Sequence, residues 1–421
     1  MLIDQLKSRI RGFVYLIICI CLVKTFVMYK WANGTFYTDA YYIRRSEEAL
    51  RANQLLSRRY MLSNVKLSTN SYVKHDTIGP TQLGRFQREN ATLLMLVRNE
   101  ELAGALRAMR SLEDRFNKNY HYDWIFLNDV PFEDIFIETT SAMASGITKY
   151  AVVPSSDWST PNWIDQDLYA RQREYMTKIK VLHGESESYR NMCRFYSGFF
   201  FRQEVLDNYD YYFRVEPDVE YFCDFSYDPF KIMKEQNKKY GFVISLHEYE
   251  DTIPTLWEAV DEYIQEDEGY DIDMENNIFD FIIQEDSISS AKVFDSNSDY
   301  NLCHFWTNFE IADLNFFRSD KYLRFFNYLD SKGGFYYERW GDAPIHTIAA
   351  SLFLRPDEVI HFEQIGYKHS PYFACPSAYS YRLNQRCLCD YAGTGNIHLE
   401  AISCLQEWWK WGGGKTFMSN Y

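Results

Sequence analysis

From Asn90 onward the chain alternates short apolar runs with longer segments of helical spacing, and that alternation limits its fold more than any other feature. A short apolar run can be buried on both faces as a strand, whereas apolar residues three and four apart bury one stripe of a helix. Strands and helices taken in turn give an α/β domain around a largely parallel sheet. The first expected strand runs from Thr92 to Val97, and Arg98-Asn99-Glu100-Glu101 then opens a helix with Leu102, Leu106, Met109 and Leu112 on one face. Trp124 to Leu127 forms a second strand ending in Asn128-Asp129, Tyr211 to Val215 a third leading into Glu216-Pro217-Asp218, and Phe242 to Leu246 a fourth. Open sheets of this kind bind ligands beyond the carboxyl ends of their strands, which makes Arg98, Asn128 and Asp129 candidates for holding a nucleotide. No GxGxxG follows the first strand, so a dinucleotide-binding domain is not supported. The acidic stretch from Asp261 to Asp299 reads as an irregular, solvated surface excursion.

Ahead of this domain, Phe13 to Met28 is apolar except for Lys24 and Thr25, and Lys7, Arg9 and Arg11 precede it. Such a run nearly spans a bilayer, and basic residues in front of it keep that side cytoplasmic. A cleaved signal peptide is the competing reading, but no small-x-small site ends the run. The expected organisation is a cytoplasmic tail (residues 1–12), a membrane anchor (13–29), a polar lumenal stem (30–85) with a helix around 46–59, and a catalytic domain (86–421). Two sequons, at Asn33 and Asn90, suit a lumenal chain. So do the cysteines: Cys19 and Cys21 lie in the apolar run, and the other seven allow up to three disulfides with one left over. A zinc site lacks the paired CxxC spacing it would need. A net charge of -15 excludes nonspecific binding to nucleic acid, which needs a positive field. With 34 Tyr, 31 Phe and 10 Trp, rings are available both for dense packing and for stacking on sugars or bases.

The chemistry concentrates where the third strand stops. In FRVEPDVEYFCD a carboxylate held at a strand end by proline could grip a hard divalent ion against a diphosphate, and the same tripeptide could equally be a plain turn. A nucleoside diphosphate leaving group needs a cation because its developing negative charge has no internal counterion.

Five long runs carry a resemblance: SYRNMCRFYSGFFF (188–201), YYFRVEPDVEYFCD (211–224), YNLCHFWTNFEIADLNFFRS (300–319), YYERWGDAPIHTIAASLF (336–353) and GYKHSPY (366–372). Together, and in this order, they resemble the fungal Golgi α-1,2-mannosyltransferase family. The resemblance implies a GT-A type α/β fold with a mixed sheet, GDP-mannose as donor, a mannoside on a glycoprotein as acceptor, Mn²⁺ as cofactor, and retention at the anomeric carbon. It assigns Glu216 and His369 to the metal, a pairing that departs from the DxD usual in this fold but suits Mn²⁺. Glu310 corresponds to the family's proposed nucleophile, and retention needs either such a group or attack from the leaving-group face. Tyr189 corresponds to a tyrosine beside the transferring sugar and β-phosphate. Asp342, in a turn flanked by Gly341, is expected to bind or deprotonate the acceptor. Arg190 and Asp218 are candidates for donor contacts, and Trp306 and Trp340 for stacking on mannose. His304, His346 and His361 are read as structural. The rival readings are a mannosylphosphate transferase and a lumenal glycan-binding protein without turnover.

Overall fold

The computed structural model describes residues 88–265, 272–283 and 298–414, together with Lys24. Apart from Lys24, the expected anchor and stem lie outside the described residues; within them, no helix is long and apolar enough to cross a membrane. Arg85–Tyr421 is one of two units into which the chain divides.

A seven-stranded sheet organises this unit. In chain order its strands are β1 (Ala91–Leu96), β2 (Asp123–Asn128), β3 (Thr148–Val152), β4 (Tyr211–Val215), β6 (Tyr240–Phe242), β9 (Phe309–Asp313) and β10 (Val359–His361). Their spatial order is β10-β6-β9-β4-β1-β2-β3. All neighbours pair parallel except β9, which is antiparallel to both β4 and β6, so the sheet is mixed. A smaller sheet of β5 (Glu220–Tyr221), β11 (Tyr367–His369) and β12 (Tyr372–Ala374) and a ribbon of β7 (Ser245–His247) with β8 (Cys303–Phe305) complete the strands.

The central strands are apolar on both faces because both faces are covered. Leu93, Leu94, Met95, Trp124, Ile125, Phe126 and Leu127 have no exposed surface. Helix α1 (Leu102–Arg115) packs against α2 (Asp134–Met143), while α4 (Glu187–Gly198) packs against α7 (Asp320–Ser331) and α8 (Asp342–Phe353). In the chain α3 (Gln166–Lys178) precedes α4, α5 (Pro229–Glu235) and α6 (Leu256–Gln265) lie between α4 and α7, and α9 (Leu405–Trp411) follows α8.

Three expectations need correction. The apolar run from Phe242 to Leu246 is two strands, because β6 pairs with β9 and β10 while β7 pairs with β8. The helix expected from Arg98 opens with a 3₁₀ turn over Asn99–Glu101, and its buried stripe is Ala105, Ala108, Met109 and Leu112, with Leu102 and Leu106 only half-buried. Within the described part of the acidic stretch, Phe281 and Ile282 are fully buried, so this segment reaches into the core as well as over the surface.

Among the described residues the cysteines form the full three disulfides that their number allows. Cys223–Cys387, Cys303–Cys404 and Cys375–Cys389 are bonded, and Cys193 is free and buried. Cys303–Cys404 anchors α9, whose Trp408 meets Phe242, Phe281 and Phe305 edge-on. The aromatic C-terminal run therefore closes the core.

Candidate active site

Strands β4, β1 and β2 are parallel neighbours, so their carboxyl ends share one edge of the sheet. A cleft of about 190 Å³ opens there. Its walls come from the residues after β1 (Val97, Arg98), the end of β2 (Asn128, Asp129), the turn after β4 (Glu216, Pro217) and the first turns of α4 (Ser188, Tyr189, Met192). Five of the residues singled out in the sequence thus line one cavity.

The Glu216 Oε1 accepts from Arg214 Nε at 2.6 Å. Its second oxygen accepts no hydrogen bond among the described residues. His369, on β11, lies within electrostatic reach of Glu216, and Trp306 meets it edge-on at 4.9 Å between ring centroids. Burial holds the His369 imidazole below its ordinary pKa against the opposing pull of Glu216, and its Nδ1 is buried with no hydrogen-bond partner. A neutral imidazole and a carboxylate oxygen that accepts no hydrogen bond are donor types that suit a divalent transition ion.

Asn128 is 1% exposed; its Oδ1 accepts from the Asp129 amide at 2.9 Å, and its Nδ2 is buried without a partner. Arg98 and Asp129 are exposed at the rim. Tyr189 stacks on His183 at 4.3 Å and lies under the Arg339 guanidinium at 5.2 Å. Burial raises the Tyr189 pKa well above that of free tyrosine, so it is a phenol, able to donate.

The remaining sequence candidates lie elsewhere. Arg190 is fully buried and spends its guanidinium on the carbonyl oxygens of Glu338 and Ser186, both at 3.0 Å, so it is a structural clamp and not a phosphate ligand. Arg194 likewise forks onto Asp330, with both bonds at 2.7 Å. Trp340 is 1% exposed, packed on Gly334 and bonded to Glu338, which removes it as a sugar platform. Asp218 has a positive φ of 63°, ion-pairs with Arg107, and lines a different, open groove of about 950 Å³. Three of the four acids of that groove pair with its arginines, Asp218 with Arg107, Asp114 with Arg110 and Asp224 with Arg115. Most of its charge is thus already neutralised, and the smaller cleft, where the strand ends converge, is the better candidate.

Glu310 and Asp342 sit behind the cleft. Glu310 has no exposed surface; its Oε2 accepts from the Tyr240 hydroxyl and faces His346 Nδ1 at 2.8 Å. Burial raises the Glu310 pKa, with His346 opposing the rise. The other ring nitrogen of His346 donates to the Tyr196 carbonyl at 3.0 Å. Asp342 Oδ2 receives Arg214 Nη1 at 2.5 Å and the Thr307 hydroxyl at 2.7 Å. Burial would raise its pKa, but Arg214, His346 and Thr307 outweigh that and hold it below the usual carboxylate value. Neither carboxylate touches the cleft as the sequence reading expected.

That reading also missed Arg214, Arg339 and His183. A signal existed for Arg214: a charge inside the otherwise apolar strand YYFRV must be paired if the strand is buried. Nothing comparable marked His183.

A family model described as glycolipid 2-alpha-mannosyltransferase matches residues 46–413. Probable mannosyltransferase KTR2 of Saccharomyces cerevisiae is 60% identical over 419 residues, covering 99% of this chain and 98% of the relative. Alpha-1,2 mannosyltransferase KTR1 of the same yeast is 44% identical over 396 residues, covering 94% and 93%. Among solved structures, core-mannan synthase A (CmsA/Ktr4) from Aspergillus fumigatus, in an Mn/GDP form, superimposes with a TM-score of 0.72 at 37% identity, covering 78% of this chain and 87% of that one. Mannosyltransferase Ktr4p of S. cerevisiae in complex with GDP gives 0.73 at 36% identity, covering 79% and 84%. The mixed α/β sheet is accordingly the GT-A-like fold of those enzymes. With the match running from residue 46 to residue 413, and a relative 60% identical along nearly its whole length, this chain belongs to the glycolipid 2-alpha-mannosyltransferase family.

Proposed function

We propose that this mannosyltransferase moves mannose from GDP-mannose to a mannoside on a glycoprotein, with retention, at the cleft between β1, β2, β4 and α4. The observation that carries the reading is the convergence of Glu216, Tyr189, Arg98, Asn128 and Asp129 on one cavity at the strand ends. Arg98, Asn128 and Asp129 meet the guanosine half; the bare Asn128 amide is a donor in search of an acceptor. Glu216 and His369 are the residues to hold Mn²⁺, which when bound supplies positive charge opposite the departing diphosphate. Tyr189 donates its phenolic proton toward the β-phosphate oxygen as the glycosidic bond lengthens. Trp306, half-buried beside His369, offers a ring to the mannose.

Two routes lead to retention, and the burial of Glu310 favours the one without a covalent intermediate. A nucleophile must reach the anomeric carbon, and Glu310 instead spends its carboxylate on Tyr240 and His346. Attack from the leaving-group face asks only that acceptor, donor and Tyr189 share the cleft. The apolar segment at 13–29 with Lys7, Arg9 and Arg11 ahead of it supports a type II orientation with the domain lumenal, and membership of this family supports the Golgi as its membrane.

The test is transfer from GDP-mannose to methyl α-mannoside by the purified chain, with and without Mn²⁺. Wild type should make an α-1,2 linkage only with the ion, and Glu216→Ala should make none while remaining folded. Full activity in Glu216→Ala would remove the proposed metal site.

A further inference from the structure

A charged side chain in the interior persists only where its partners repay the cost of leaving water. Arg214 is 3% exposed and has three partners. Its Nε donates to Glu216 Oε1 at 2.6 Å, its Nη1 to Asp342 Oδ2 at 2.5 Å, and its guanidinium lies 3.4 Å from the ring centroid of Tyr196. Thr307, just before β9, adds a hydroxyl to the same Asp342 oxygen at 2.7 Å. Of the two acids only Glu216 lines the cleft. One planar cation therefore joins a buried acid at the start of α8 to the acid at the mouth of the sheet.

We propose that Arg214 is a positioning residue that aims Glu216 at the cation, and that Asp342 and Thr307 hold Arg214 in turn. By taking Oε1 it fixes the side-chain torsions of Glu216 and leaves Oε2 as the only oxygen to offer. The flat face against Tyr196 removes the freedom to swing away. Lysine could not do the same, because a single ammonium lacks the rigid fork that reaches two acids at once. Asp342 thus acts on the reaction through Arg214 and not by touching the acceptor. Groups that orient a ligand in this way commonly matter to metal affinity by about 10–100-fold.

This inference rests on the reading of Glu216 as a metal ligand, and the experiment separates the two. Mn²⁺ binding to the full-length chain with GDP present would be measured by electron paramagnetic resonance, and GDP affinity without metal by calorimetry. Arg214→Gln should weaken Mn²⁺ by about 10–100-fold, Arg214→Lys should recover part of that loss, and GDP affinity without metal should not change. Thr307→Val, which leaves Arg214 in place, should weaken Mn²⁺ in the same direction by less. Wild-type Mn²⁺ affinity in both Arg214→Gln and Thr307→Val would overturn the proposal, as would an equal loss of metal-free GDP binding. Should the Arg214 variants not fold, Thr307→Val decides alone. Glu216→Ala is the reference: if it binds Mn²⁺ normally, the metal site itself is wrong, whereas loss there with none in Arg214→Gln sinks only the positioning role.

Discussion

Arg214 on β4 and Glu310 on β9 are register partners across an antiparallel pair, yet their side chains turn to different partners. Arg214 goes to Glu216 and Asp342, and Glu310 to Tyr240 and His346. The two ionisable groups share one layer of the sheet, and only the Arg214 branch reaches the cleft. His346 donates from Nε2 to a carbonyl, so the contact between its Nδ1 and Glu310 carries one proton, whichever atom holds it.

That arrangement makes Glu310→Gln informative. Gln cannot share the proton with His346 as a carboxyl does, and the loss of one buried partner costs about 1–3 kcal/mol. We expect a lower melting temperature and a lower turnover, with GDP affinity intact. In the smaller variant Glu310→Ala, azide should fail to restore turnover, and no mannosyl adduct should be found on Glu310 of the wild type by mass spectrometry. Azide rescue or such an adduct would establish the covalent route.

Tyr189→Phe tests the donor to the leaving group. The ring keeps its stack on His183 and its place below Arg339, so only the hydroxyl is lost. Loss of a hydrogen bond made mainly in the transition state costs roughly 100-fold in kcat. The KM for GDP-mannose should stay near wild type, and a change confined to KM would contradict the role.

Stability should vary with pH through Asp228. Burial is the main cause that pushes its pKa up to about 6, while the Tyr122 hydroxyl, at 2.6 Å, and the Phe230 amide pull it down. A carboxyl whose folded pKa exceeds its unfolded value favours the fold when protonated. Its contribution is complete below the unfolded pKa of about 3.9 and is lost as pH rises through about 6, a swing of up to about 3 kcal/mol. Asp228→Asn removes the charge while its Oδ1 still accepts from the Phe230 amide and its Nδ2 donates to the Tyr122 hydroxyl oxygen, which can accept. The variant should melt above wild type at pH 8 by a margin that shrinks at pH 5, and a margin independent of pH would refute the assignment.

The disulfides should differ in worth. Cys303–Cys404 closes a separation of 101 residues and Cys375–Cys389 one of 14. Chain-entropy arguments put their upper contributions at about 4.7 and about 3 kcal/mol. Paired serine substitutions, compared by urea denaturation, should show the larger loss at Cys303–Cys404. The order should be strengthened by release of Trp408 from its aromatic cage. A reversed order would show that local strain, not loop length, sets the balance.

Much of this molecule was legible along the chain. The period of apolar residues marked β1, β2 and β4 within a residue at each end, because a strand buried on both faces leaves a contiguous run. Polar residues that end such runs, Arg98, Asn128, Asp129 and Glu216, came out in the cleft because parallel strands must present their carboxyl ends at one edge. The number of disulfides followed from parity and compartment.

The sequence by itself determined the alternation of elements, the strand ends that bear the cleft, the supply of aromatic core and, through five ordered motifs, the family. Only the tertiary structure decided which acid faces solvent. Glu216, Asp218, Glu310 and Asp342 are equally charged as letters, but one lines the cleft, one turns away through a left-handed backbone to meet Arg107, and two lie buried behind Arg214 and His346. Whether an ionisable group binds, braces or pairs depends on its distance to water and to opposite charge. Those distances are set by residues far away in the chain, and no local pattern carries them.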